Sequence, residues 1–209
     1  MVAVHLVFDM TELYGFFPRP RGPIYGLFLS WGGVVFFLIS GICATLSSRT
    51  FRRGIIVFGC GMAVTAVTCL TDRNLAVYFG VLHCLGCCML LWPLFRRLSA
   101  GALAVAAAAC IGLGLLFQQL HVSIPWLFWL GLTTPFFSSA DFFPLFPFLG
   151  FFLLGALPGR RLYKEKRTLL PGTDAQKLLL RFLQCCGRHS LPIYLLHQPI
   201  ILGILELIH

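Results

Sequence analysis

His5, Asp9 and Glu12 occupy positions i, i+4 and i+7 of an apolar run, so on a helix all three project from one face. A carboxylate one turn from an imidazole fixes the ring tautomer and raises its basicity. That arrangement suits a general base or a nucleophilic histidine. The structural alternative is a polar pair holding helices together. A charged group at bilayer depth costs about 2.5–3.5 kcal/mol on insertion scales, and three titratable groups on one face, led by a histidine, favour function.

Other titratable groups stand alone. His83, within Phe79-Gly80-Val81-Leu82-His83, reads more readily as a hydrogen-bonded packing residue than as a ligand. His197 lies midway along the last apolar run, where Pro199 frees the carbonyl around Leu195, and function and structure are equally open there. Asp141 precedes a helix expected to start near Pro144, and by composition it is an N-cap. Arg188, His189 and Ser190 open the last helix, either as a phosphate site or as a cap with snorkelling charges. Nine cysteines lie mostly inside apolar runs, where Cys behaves as a small hydrophobe. Cys84 and Cys87 form a C-x-x-C with no second pair at zinc-binding spacing, so no metal is expected.

The elements that must position these residues are membrane helices. The 209-residue chain is 58% hydrophobic and 11% charged, less than half the charge of about 25% in a soluble domain. Apolar runs near the length of a bilayer span recur along it. Expected helices cover 1–17, 25–47, 54–70, 75–95, 101–117, 144–158 and 190–208, and 178–186 reads as an amphipathic helix. Segment 124–137 is apolar but short and carries Pro125 and Pro135. If it spanned, the basic stretch from Arg160 to Arg167 would fall outside, so it is read as re-entrant or interfacial. The fold expected is an all-α polytopic membrane protein, a bundle of about seven transmembrane helices forming a single domain over residues 1–209.

Thirteen of the sixteen Lys and Arg residues fall in three inter-helix regions, and Arg19, Arg21 and Arg73 lie in the alternate loops. That bias is the positive-inside rule; it explains the net charge of +9 without a nucleic-acid partner and places the N-terminus inside and the C-terminus outside. MVAVHLVFDM lacks a basic n-region and a cleavage site, so Met1 onward reads as mature protein. A first helix of about 17 residues with no basic residue ahead of it starts poorly for a cytoplasmic N-terminus. Either the helix is short or the recorded start lies downstream of the true one.

Several segments together resemble a known family: MVAVHLVFD from Met1, FLISG from Phe37, YFGVLH from Tyr78, DFFPLFP from Asp141 and GRHSLPIYLLHQP from Gly187. They look like bacterial relatives of the heparan-alpha-glucosaminide N-acetyltransferase catalytic domain, in the transmembrane acyltransferase superfamily. The C-terminal motif is the most specific piece, and the middle of the chain is generic apolar sequence. The resemblance implies transfer of an acyl group, acetyl first among candidates, from cytoplasmic acyl-CoA to a sugar-like acceptor reached from the other membrane face. It makes His5, oriented by Asp9, the general base or transient acyl carrier. Arg188, with His189 and Ser190, would hold CoA phosphates, and His83, Asp141 and His197 would line the cavity. An Arg commonly precedes the first-helix His in this superfamily; counting back from His5 places it before Met1, in keeping with a clipped start.

The partners expected are a lipid bilayer, acyl-CoA and a glycan or other small acceptor, in a bacterial plasma membrane. Oligomeric state is left open, with a homodimer as the assembly to test. Two other readings stand beside this one. A small proton-coupled carrier would also use intramembrane His and Asp, although no inverted repeat is evident. A non-catalytic homologue would fit the missing upstream Arg.

Overall fold

The computed structural model describes residues 6, 10, 23–71, 76–120, 122–163 and 178–208. The expected first helix, with His5, Asp9 and Glu12, lies outside the described residues apart from Leu6 and Met10. Seven α-helices and one 3-10 helix make up the described residues, which contain no strand beyond one isolated bridge. The α-helices are α1 (Pro23–Leu46), α2 (Thr50–Thr71), α3 (Val81–Phe95), α4 (Ala100–Phe117), α5 (Leu145–Leu162), α6 (Leu178–Arg188) and α7 (Ser190–Ile208). The 3-10 helix covers Pro125–Leu130. Among the described residues, α2, α4 and α5 are long and apolar enough to cross a membrane, and Trp31–Leu46 and α3 are shorter apolar helices. The chain divides into two compact units, one of Val34–Thr168 and one of Met1–Gly33 with Leu169–His209.

Within Val34–Thr168, glycines set the helix contacts. Lipid tails are as apolar as leucine, so helices in a bilayer associate by close packing at small residues. Gly54 and Gly61 of α2 meet Met89 and His83 of α3, and Gly86 of α3 meets Phe58 of α2. Gly150 of α5 lies against Ala107 and Ile111 of α4. Gly155 packs on the Leu38 carbonyl of α1, and Gly41 of α1 packs on the Phe152 carbonyl of α5. Phe37, Leu103, Phe152 and Leu153 are fully buried between these helices. The opposite faces stay apolar: Ile55, Ile56 and Val67 of α2 and Val105 of α4 are exposed. A helix apolar on all sides is built for lipid rather than water.

Two ends result. Arg49, Arg52 and Arg53 lie at the start of α2, Arg96 and Arg97 follow α3, and Arg160 and Arg161 close α5. Arg160 ties this end together, donating to Leu98 O at 2.7 Å and Phe95 O at 3.1 Å while its guanidinium lies 5.4 Å from the centre of the Trp92 ring. It satisfies carbonyls left open at the end of α3, where positive charge also suits the helix dipole. The other end holds the start of α3, the end of α4, the 3-10 helix and the start of α5.

Several boundaries differ from expectation. Helix α3 begins at Val81 rather than near 75, because 76–80 is extended. Helix α2 begins at Thr50, so Arg52 and Arg53 sit in its first turn rather than in a basic turn; Thr50 donates to Ala44 O and Ser47 O. Helix α5 continues past Pro158 to Leu162, held by Arg160. The peptide before Pro147 is cis. Six residues of 3-10 helix at about 2 Å rise cover too little distance to cross a bilayer core of about 30 Å. Gly131 ends that helix at φ 114°, in the left-handed region open to glycine.

In the other unit, α6 is amphipathic and only His189 separates it from α7.

Candidate functional site

The extended segment 76–80 carries backbone amides and carbonyls without a helix to satisfy them. An unpaired polar group costs several kcal/mol away from water, so such a segment needs partners on every side. Segment 139–143, α2 and α3 supply them. Segment 139–143 runs parallel to it, with Ala140 N–H donating to Ala76 O at 3.2 Å and Phe143 N–H to Phe79 O at 2.9 Å. Ser139 Oγ accepts from Tyr78 N–H at 3.2 Å. Thr68 Oγ1 of α2 accepts from Val77 N–H at 3.1 Å. The Thr65 hydroxyl of α2 donates to Val77 O.

His83 and Asp141 complete this set. Gly80 N–H donates to His83 Nδ1 at 3.2 Å, and Val81 N–H donates to Asp141 Oδ2 at 3.0 Å. These are amides of the first turn of α3, which no helical carbonyl can reach. With Nδ1 accepting, the network places the His83 proton on Nε2, 3.2 Å from Thr65 Oγ1. The Thr65 hydroxyl donates its own hydrogen bond to Val77 O, closing a chain from Gly80 through His83 and Thr65 to Val77. The ring is 2% exposed, stacked on Phe79 at 5.5 Å and edge-on to Phe58 at 5.6 Å. Both nitrogens therefore have protein partners.

Asp141 caps α3 rather than the helix that follows it. The N-cap of α5 is Pro144, with no side-chain cap, because pairing of 139–143 with 76–80 carries the carboxylate to Val81 instead. Asp141 stands in the loop ahead of α5, and burial raises its carboxyl above the usual carboxylate range; the Val81 amide offsets part of that rise. Gly80 leaves room for it, since a Cβ there would collide with Asp141 Oδ2.

The remaining candidates lie in the other unit. Arg188 ends α6, and Arg188, His189 and Ser190 are all exposed. His189 N–H continues the helical pattern to Cys185 O at 3.1 Å, and its Nδ1 lies 3.0 Å from the same oxygen. His197 is 8% exposed and bonds through Nδ1 to the carbonyl of Tyr194, one residue before the carbonyl expected from Pro199. The Tyr194 ring lies 5.1 Å from it. His5 and Asp9 lie outside the described residues. The structure thus brings His83 and Asp141 to one helix start and adds Thr65, Thr68 and Ser139, which sequence reasoning missed. Hydroxyls in apolar runs carry little local signal, because their partners lie up to about sixty residues away.

All nine cysteines are free; Cys84, Cys88 and Cys110 are buried. Among the described residues, no three His, Cys, Asp or Glu side chains gather as metal ligands do.

These features define an all-helical membrane protein with a buried polar centre where a short helix begins. The family model described as heparan-alpha-glucosaminide N-acetyltransferase, catalytic, matches residues 1–199, and the chain belongs to that family. No match was found among curated proteins or among solved structures.

Proposed function

We propose that this chain is a membrane-embedded acyltransferase moving an acetyl group from cytoplasmic acetyl-CoA to a sugar-like acceptor at or across the membrane. The observation carrying this reading is the family match, which takes in His5, Asp9, His83, Asp141 and the motif from Gly187 to Pro199. His5, oriented by Asp9, removes the proton of the acceptor hydroxyl or amine as that atom attacks the thioester carbonyl. The tetrahedral intermediate then expels the CoA thiolate, which takes up the proton. In the alternative route His5 attacks first and carries the acetyl group between the two substrates. Arg188, His189 and Ser190 hold CoA phosphates through charge-assisted hydrogen bonds, a role supported by their exposure. His83 and Asp141 keep the start of α3 in place, and His197 lines the cavity where a low dielectric favours oxyanion stabilisation.

The chain is a single catalytic domain of about seven spans in a bacterial plasma membrane, N-terminus inside and C-terminus outside. The arginine-rich end of Val34–Thr168 is the cytoplasmic one. Segment 124–137 lies at the outer interface, supported by exposed Trp126, Trp129 and Phe136 at the end without arginines.

Incubation of the purified protein with acetyl-CoA tests this, reading CoA release and any acetyl mass on the intact chain. Wild type turns over or forms an adduct, and His5→Ala lowers the rate by about 10²–10⁴-fold, as loss of a general base does. Undiminished transfer by His5→Ala overturns the scheme.

A further inference from the structure

The two arginines that close α5 have different surroundings. Arg160 is spent on Leu98 O, Phe95 O and the Trp92 ring. Arg161 is exposed and makes no hydrogen bond or ion pair with the described residues. It stands at the rim of an open groove of about 510 Å³ between the start of α4 and the end of α5. Ala100, Gly101 and Ala104 form one wall, and Leu157 and Pro158 form the other. Small side chains on α4 make the hollow: a Cβ on Gly101 would meet nothing within 4 Å.

Charge selects the occupant. Seven arginines gather at this end: Arg49, Arg52, Arg53, Arg96, Arg97, Arg160 and Arg161. Among the described residues of Val34–Thr168 the one acidic side chain, Asp141, is at the opposite end. An open, mostly apolar trough with a cation at its mouth matches a molecule that has a hydrocarbon chain beside an anionic phosphate. We propose that this groove seats an anionic phospholipid of the cytoplasmic leaflet. Its phosphate lies on Arg161, and one acyl chain runs between Ala104 and Leu157. Arg160 keeps the site in register by fixing the α3–α4 turn against α5. The proposal rests on the membrane orientation given above but not on acyl transfer.

The test is native mass spectrometry of the full chain in detergent with added phosphatidylglycerol or phosphatidylcholine. Wild type is expected to retain phosphatidylglycerol in preference to phosphatidylcholine. Arg161→Gln weakens that retention about fivefold, the scale of one basic residue at an anionic surface. Arg96→Gln removes the same charge outside the groove and leaves retention unchanged. Ala104→Leu fills the trough and lowers retention of the lipid while Arg161 remains. Equal losses from Arg96→Gln and Arg161→Gln would mean diffuse charge attraction and overturn the site. Equal retention of both lipids, or displacement of phosphatidylglycerol by acetyl-CoA, would overturn the choice of ligand. CoA release measured on the same samples keeps the result separate from the acyltransferase reading, since lipid retention does not depend on turnover.

Discussion

Asp141 spends one carboxylate oxygen on the Val81 amide, and replacements that keep or remove that acceptor should separate cleanly. Asp141→Ala leaves a buried N–H without a partner and is expected to cost about 1–3 kcal/mol, read as a lowered Tm in detergent. Asp141→Asn keeps an acceptor oxygen and recovers most of that loss. The two also differ with pH. Burial raises the Asp141 carboxyl, so the folded state holds a proton that the unfolded chain has released. Stability therefore falls as pH rises from the ordinary carboxylate value of about 3.9 towards the raised one, and Asp141→Asn flattens that slope. His83→Ala exposes the Gly80 amide and opens a void between Phe58 and Phe79, so it is expected to lower Tm at least as much as Asp141→Ala. The packing role of His83 was legible in the sequence because a lone histidine in an apolar run must find partners. Which helix Asp141 caps was not, since that depends on a pairing with residues about sixty positions earlier.

Helix existence was legible, and helix ends were less so. The last helix, α7, and α4 fall within a residue of their expected limits because apolar length and flanking polar residues set both boundaries. Segment 76–80 reads as part of a helix because its residues are as apolar as those that follow. Only a hydrogen-bonding neighbour from elsewhere in the chain makes extended backbone tolerable there. Glycine substitutions test the packing of these elements. Gly155→Leu pushes into the Leu38 carbonyl of α1 and is expected to cost about 1–3 kcal/mol, the range for overpacking, with loss of monodispersity on gel filtration. Gly112→Ala, with nothing within 4 Å of its Cβ, is expected to be neutral or stabilising by up to about 1 kcal/mol. A matched pair of this kind distinguishes a packing glycine from an incidental one.

At the scale of the whole molecule, composition alone pointed to a membrane protein, and the distribution of arginines pointed to its orientation. The apolar helices agree with the first, and the structure gathers seven arginines at one end of Val34–Thr168. Reporter fusions test the proposed orientation: a reporter placed after Arg97 is expected to read as cytoplasmic, and one placed after Ser123 as external. The reverse pattern would invert the topology and move the proposed CoA and lipid sites to the wrong face. The groove beside Arg161 was invisible in the sequence, because Arg160 and Arg161 are chemically alike and only their neighbours distinguish them.

The pairing of 76–80 with 139–143 has a consequence for biosynthesis. The amides that precede α3 leave the ribosome about sixty residues before Asp141 and Ser139 can meet them. At about 5–20 residues per second that interval is roughly 3–12 s, longer than helix formation requires. Until then the Tyr78 and Val81 amides lack the side-chain acceptors they have in the folded chain. The start of α3 is therefore expected to settle only after 139–143 has been made.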